Sequence, residues 1–125
     1  MRVLMLVVIL QFSWSCASAT DQFIENEVSG VFFYGHETSA FVPCGTTQRW
    51  WADGSGNGMA ALMEVYENSG VGLYGNLHVT LRGQFEEQVG NGDYVGIFHV
   101  SAFVAYSTAA DKIVTCVPSI KELNK

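Results

Sequence analysis

The hydrophobic pattern of the chain becomes strand-like after residue 27 and starts with the segment GVFFYG at residues 30–35. Its four central residues are β-formers enclosed by two glycines. Because all four are apolar or aromatic, we expect both faces of this strand to be covered, with Gly35 allowing a bend. A second apolar segment at residues 41–45 contains Pro43, which cannot donate a ladder hydrogen bond and so indicates an edge or a turn.

A second strand is predicted at residues 49–52, where two tryptophans are adjacent. Neighbouring residues of a strand point to opposite faces, so one of Trp50 and Trp51 should enter the core and the other should lie on the surface. A short apolar segment near the C-terminus, residues 113–117, is interpreted as a last short strand.

Two longer segments predict a hairpin. Residues 77–82 alternate strictly between apolar and polar and continue to about residue 85, and residues 94–106 form a long apolar strand. Asn91-Gly92 lies between them and is a signal for a type I′ turn.

The only helical pattern covers residues 59–68. Its apolar residues recur at helical spacing and form one stripe that must be buried: Met59, Leu62, Met63 and Tyr66. Asn57 is the predicted N-cap of this helix and Gly70 its predicted C-cap.

Five short strands, one helix in the middle and bends marked by glycine predict a mainly β fold. The specific expectation is a small OB-like Greek-key barrel, with the helix between the region of strands 1 and 2 and the last strands, and one disulfide. The barrel domain is expected at residues 28–118, after a lead-in at residues 20–27 and before a polar tail at residues 119–125.

The first 19 residues have the features of a secretory signal peptide. Arg2 precedes an apolar run, and small residues at 17–19 end the segment at a cleavage site. A buried N-terminal helix is the alternative. Cys16 offers a second processing route, lipidation of a new N-terminal cysteine, which would anchor the protein to a membrane.

Cleavage after residue 19 leaves two cysteines, Cys44 and Cys116, in an oxidising compartment, so a disulfide is the default interpretation. Two free thiols that bind a metal are the alternative. Loss of Arg2 leaves five basic against twelve acidic residues, a net charge of −7. Such a surface repels phosphate backbones, and no nucleic-acid partner is expected.

A relaxed calcium-loop pattern follows the second predicted strand. Asp53, Ser55 and Asn57 occupy loop positions 1, 3 and 5, a glycine follows at position 6, and Glu64 stands at position 12. Oxygen donors at alternate positions followed by a carboxylate are the ligands that Ca²⁺ prefers. The alternative is a glycine-rich loop that leads into the helix.

Side chains that could bind a soft metal are scattered along the chain: His36, His78, His99, Met59 and Met63. His78 and His99 lie on neighbouring predicted strands and could face each other. The sequence contains no nucleophile motif and no pair of carboxylates whose placement suits catalysis. We therefore expect a protein that is not an enzyme and carries no cofactor.

The aromatic residues of the first strands could form a platform for a sugar ring, a peptide or a partner protein. The candidate binding residues are Tyr34, Phe41 and whichever of Trp50 and Trp51 is exposed. The alternative is that these side chains belong to the core, with one indole half-covered.

Residues 30–54 combine a G-x-F-x-Y strand, the motif F-x-P-C-G and an aromatic strand before a helix, and a second cysteine lies near the C-terminus. This combination resembles the C-terminal OB-fold domain of NlpE-like envelope lipoproteins, with a correspondence over residues 28–116. The resemblance implies that Cys44 and Cys116 are paired. It also implies a periplasmic or outer-membrane-associated module, with an envelope protein or small ligand as partner and a connection to copper tolerance and envelope stress.

Overall fold

The computed structural model of the chain describes residues 25–88 and 92–124. The predicted signal peptide, Cys16 and most of the lead-in therefore lie outside the described residues. The elements within them are, in chain order, β1 (Asn26–Gly35), β2 (Thr38–Pro43), β3 (Trp50–Asp53), α1 (Asn57–Asn68), β4 (Leu77–Glu87), β5 (Gly96–Ser107), α2 (Ala110–Cys116) and α3 (Ile120–Leu123).

The five strands form one sheet that closes into a ring in the order β1-β2-β3-β5-β4, because β4 pairs back onto β1. All neighbouring strands are antiparallel except β3 and β5. Those two are parallel, and their pairs run from Trp50 with Gly96 to Asp53 with His99. The expected mainly β fold is confirmed, and α1 connects β3 to β4. The five strands are not all the predicted ones, because β2 forms where only an edge or turn segment was expected and no strand forms at residues 113–117.

The interior of the ring is a continuous hydrophobic core to which every strand contributes. Its largest aromatic members are Phe32, Phe41, Trp50 and Phe98. Phe98 packs against Phe41 with ring centroids 5.0 Å apart and against Phe85 at 4.7 Å. The apolar stripe of α1 packs against the same cluster through Leu62 and Tyr66, as the helical periodicity predicts.

A second hydrophobic cluster lies on the opposite face of β1 and β2, under the C-terminal helices. It consists of Val31, Phe33, Ala40, Val42, Ile113, Cys116, Val117 and Ile120. This cluster explains why residues 31–34 are all apolar or aromatic. One face of β1 belongs to the ring interior and the other is covered by α2 and α3.

The predicted strand at residues 113–117 is wrong, because this segment lies mostly in the helix α2. A short apolar run does not distinguish strand from helix by periodicity alone. The helical spacing becomes visible when Ile113, Val117 and Ile120 are considered together, since all three are buried on one side against the first hairpin. The residues expected as a polar tail at 119–125 include α3, whose Ile120 is 2% exposed.

The ends of α1 differ in detail from the prediction. Gly56, in an extended conformation, occupies the N-cap, and Asn57 is the first helical residue. At the other end Ser69 is the C-cap, and its hydroxyl donates to the Tyr66 carbonyl at 2.7 Å. Gly70 follows with φ of +80°, the left-handed conformation that commonly ends a helix.

The hairpin of β4 and β5 is confirmed, with pairs from His78–Ser107 to Glu87–Gly96. The connection between the last pair covers residues 88–95, which is longer than the two-residue loop of a type I′ turn. Asn91 of the predicted turn lies outside the described residues, and Gly92 has φ of +65°.

The disulfide between Cys44 and Cys116 is confirmed, across a sequence separation of 72 residues. It joins the turn after β2 to the last residue of α2, and the Gly45 amide donates to the Cys116 carbonyl at 2.8 Å beside it. None of the helices in residues 25–88 and 92–124 has the length and hydropathy needed to cross a bilayer.

Candidate functional site

The two adjacent tryptophans of β3 have opposite environments. Trp50 is 7% exposed and packs inside the ring against the edge of Phe85, with ring centroids 4.7 Å apart. Trp51 points to the outer face and is half-buried. The expectation that one indole enters the core and the other lies on the surface is confirmed, and Trp51 is the surface residue.

Trp51 forms one wall of a surface cleft of about 440 Å³. The cleft is lined by Trp51, Asp53, Gln88, Tyr94 and Ile97. Trp51 and Asp53 share the outer face of β3 because they are two residues apart, and the parallel register places Ile97 beside Trp51. The Tyr94 ring meets the indole edge to face, at 5.2 Å between centroids and an interplanar angle of 78°.

Arg49 fixes Tyr94 in this position. Its guanidinium lies 5.4 Å from the centre of the Tyr94 ring and forms an ion pair with Asp93 at 3.1 Å. The Arg49 carbonyl accepts the Val95 amide at 2.9 Å, and Nη1 donates to the Leu123 carbonyl at 3.3 Å. The cleft is therefore built before any ligand arrives, since one side chain holds both the loop after β4 and the end of α3.

The cleft combines an apolar surface with hydrogen-bonding groups. The indole N–H of Trp51 makes no hydrogen bond to a described residue and can donate to a ligand. Asp53 uses Oδ1 to accept the Gly54 amide at 2.7 Å, and its Oδ2 is free to accept from another donor. An aromatic face beside a few oriented polar atoms is the usual composition of a small-ligand site.

The other predicted platform residues do not share this surface. Phe41 is fully buried in the ring core, as is most of Trp50. Tyr34 is half-buried at a different place, where its ring meets Tyr66 at 6.3 Å. No local pattern indicated Tyr94 and Ile97 as members of the site, because only the parallel pairing of β3 with β5 brings their segments next to Trp51.

The calcium-loop residues are spread over the end of β3 and about two turns of α1. Since α1 starts at loop position 5, Glu64 is the eighth residue of the helix, about 10 Å along its axis from Asn57 at 1.5 Å per residue. Asp53 lies at the end of β3 with Oδ1 bonded to the adjacent backbone. In an EF-hand the same carboxylate closes the loop from the first turn of the helix.

The scattered histidines and methionines also stay apart. His78 is opposite Ser107 and His99 is opposite Gln84, so the expected cross-strand histidine pair is wrong. His99 instead contacts Glu86 at 2.5 Å, and this hydrogen bond lowers the pKa of the Glu86 carboxyl. The Met59 and Met63 side chains pack against the ring core.

His78 lies at the disulfide. Its Nε2 is 4.0 Å from the Cys44 Sγ, and the ligand atoms of Cys44, His78 and Cys116 all lie within 4.8 Å of one another. Burial lowers the pKa of the His78 imidazole, and the charge of Lys112 lowers it further. The sequence spacing between His78 and the two cysteines matches no metal-site motif. β4 and α2 come together only because the ring closes.

No family model matches the chain, and neither a curated protein nor a solved structure matches it.

Proposed function

We propose that this chain is a secreted, non-catalytic binding module that holds a neutral oligosaccharide in the cleft at Trp51. One observation carries the proposal: a half-exposed indole on the outer face of the ring stands beside Tyr94, with a carboxylate two residues along the same strand face. The apolar face of a sugar ring can cover the indole while its hydroxyl groups bond to Asp53 and to the indole N–H.

The topology supports an OB-type barrel. A Greek key has the spatial order 4-1-2-3, which is contained in the ring order when it is read from β4 through β1 and β2 to β3. OB barrels bind oligosaccharides and oligonucleotides on the face of strands 2 and 3 and on the loops after strands 1 and 4. Trp51 lies on β3 and Tyr94 lies in the connection from β4 to β5, so the cleft coincides with that region.

The charge of the chain favours a neutral oligosaccharide over an oligonucleotide as the ligand of the cleft. The formal net charge is −6, and Arg49, whose guanidinium lies against the Tyr94 ring, is already paired with Asp93. A phosphate chain would therefore meet a repulsive surface. A neutral oligosaccharide does not carry this cost, and its hydroxyl groups can donate to carboxylate oxygens.

The proposal places the module in a bacterial-type cell envelope, as the NlpE-like resemblance and the signal-peptide pattern imply. Partners in envelope stress signalling or copper tolerance belong to the same proposal. A non-catalytic role belongs to the proposal as well, and among the described residues that line the cleft Asp53 is the single carboxylate.

The test uses the mature chain, labelled with ¹⁵N and titrated with neutral oligosaccharides of hexose and N-acetylhexosamine units. We expect the indole N–H resonance of Trp51 to shift on binding, while that of the buried Trp50 stays in place. Trp51→Ala should weaken the affinity measured by calorimetry by about tenfold or more, equivalent to about 1.4 kcal/mol.

Tyr106→Ala is the matched control, because Tyr106 is an aromatic residue on β5 that is 53% exposed and does not line the cleft. It should bind as the wild type does. Resonance shifts confined to another surface, or equal affinity of the Trp51→Ala variant, would contradict the proposal.

A further inference from the structure

A second cleft, separate from the one at Trp51, surrounds the disulfide. It has a volume of about 370 Å³ and is lined by Cys44, His78, Asp111, Lys112, Thr115 and Cys116. Cys44 is exposed, whereas Cys116 is only 6% exposed at the end of α2. One sulfur of the pair can therefore be reached by a reductant from solvent.

We propose that reduction of the Cys44–Cys116 disulfide creates a metal site in which the two thiolates and the His78 Nε2 bind a zinc-like cation. Among the described residues, these three form the group of His, Cys, Asp or Glu side chains whose ligand atoms are close enough to share one ion. Two sulfurs and one imidazole are a ligand set that Zn²⁺ takes in proteins.

The positions of the ligand atoms are close to those of a bound ion. Tetrahedral Zn²⁺ with a sulfur at about 2.3 Å and a nitrogen at about 2.0–2.1 Å places these two atoms about 3.6 Å apart. The Cys44 Sγ and the His78 Nε2 are 4.0 Å apart. The two sulfurs, about 2.0 Å apart in any disulfide, must reach about 3.8 Å on a tetrahedral ion. Their side chains must therefore rotate so that the sulfurs separate by about 1.8 Å once the bond between them is broken.

The cleft has supports that do not depend on the disulfide. Val117 and Ile120 are buried against β1 and β2 on one side of it. The Gly45 amide donates to the Cys116 carbonyl, and the Cys44 amide donates to the Ser29 carbonyl at 2.9 Å. His78 is held by β4, which pairs with both β1 and β5. The three ligands therefore stay together after reduction.

The chemistry of the switch requires a reductant, and a dithiol is the class that fits. The dithiol is oxidised to its own disulfide, and its two hydrogens pass to Cys44 and Cys116 as their bond breaks. Metal binding then displaces the thiol protons. A water molecule can supply the fourth ligand.

The experiment compares the oxidised chain with the chain reduced anaerobically by a phosphine that is removed before titration. Co²⁺ is added as a probe, because thiolate-to-cobalt charge transfer and the visible bands of tetrahedral cobalt report the ligand set. We expect one Co²⁺ per reduced chain, displaced by Zn²⁺, and no such spectrum from the oxidised chain.

His78→Ala should weaken Co²⁺ binding by about tenfold or more, which is the loss caused even by removing an outer partner of a metal ligand. His99→Ala is the control, since His99 bonds to Glu86 away from this cleft, and it should bind as the wild type does.

Circular dichroism of the reduced chain, with and without Zn²⁺, completes the test. A folded reduced chain without a cobalt spectrum would overturn the proposal, as would equal affinity of the His78→Ala variant. Unfolding on reduction that Zn²⁺ does not reverse would also overturn it, because the three ligands would then not be held together.

Discussion

The hydroxyl group of Tyr66 organises the loop between α1 and β4. It lies 2.7 Å from the Gly75 carbonyl and 3.0 Å from the Gly72 carbonyl, and it accepts the Tyr34 amide at 3.1 Å. The ring is 4% exposed and meets Phe32 edge to face at 5.3 Å. One phenol thus joins the end of β1, the helix and the loop, and burial raises its pKa above the usual 10.0.

Tyr66→Phe should lower the free energy of unfolding at neutral pH by about 1–3 kcal/mol, because it leaves buried backbone groups without a partner. The raised pKa also predicts a pH effect. Below pH 10.0 the phenol is neutral in both states, and above it the unfolded chain ionises first. The wild type should therefore lose stability above pH 10 more steeply than the variant, as measured by urea unfolding.

Tyr106→Phe removes an exposed hydroxyl and serves as the control for this experiment. It should leave the free energy of unfolding at neutral pH unchanged. Identical slopes for the wild type and Tyr66→Phe would show that the Tyr66 phenol ionises as easily in the folded state as in the unfolded chain.

At the scale of elements, α1 is packed directly against the backbone of β5. A Cβ added to Gly58 would lie 2.6 Å from the Ser101 oxygen and 2.6 Å from the Ala102 nitrogen. Strand backbone cannot move aside as a flexible side chain can. Gly58, which stands at position 6 of the predicted calcium loop, is therefore required for the contact between α1 and β5.

Gly58→Ala should destabilise the protein by about 1–3 kcal/mol, although alanine is the better helix former, because the helix must move away from β5. Thermal or urea unfolding measures this difference. Asn57→Ala, one residue earlier, is the control, since Asn57 is exposed and the N-cap position is occupied by Gly56. A Gly58→Ala variant as stable as the control would contradict the close packing.

In the described part of the chain the sheet forms a ring with helices on two sides. These helices cover both faces of the first hairpin, β1 and β2. α1 packs against the interior cluster, while α2 and α3 cover the outer face of β1 and β2. The disulfide closes a loop of 72 residues, which the chain-entropy model values at about 4 kcal/mol. Most of the chain after β2 is thereby confined between the two cysteines.

The expected secretion of the chain predicts where its N-terminus lies and whether its cysteines are oxidised. Mass spectrometry of the protein recovered from an expressing bacterium should find a chain that starts at Thr20 and lacks the hydrogens of two free thiols. A chain that starts at an acylated Cys16 would instead support a lipid anchor. Recovery of the intact N-terminus from the cytoplasm, with free thiols, would contradict secretion.

The sequence by itself determined the local structure. Alternation in residues 77–82, helical spacing in residues 59–68 and the glycine-bounded aromatic segment at 30–35 each predicted the element that forms, because these patterns follow from backbone geometry. The pairing of Cys44 with Cys116 followed from the expectation that removal of a signal peptide leaves two cysteines. The apolar run at residues 113–117 was the exception, since a run so short fits either a strand or a helix.

Only the tertiary structure decided which of these residues meet. The parallel pairing of β3 with β5 brings Trp51 to Ile97 and Tyr94, and ring closure brings His78 to the disulfide. Both contacts join segments more than 30 residues apart, and no local pattern encodes them. They depend on burying the inner and outer faces of the first hairpin at once, which the chain achieves only when the ring is closed and its C-terminal helices are in place.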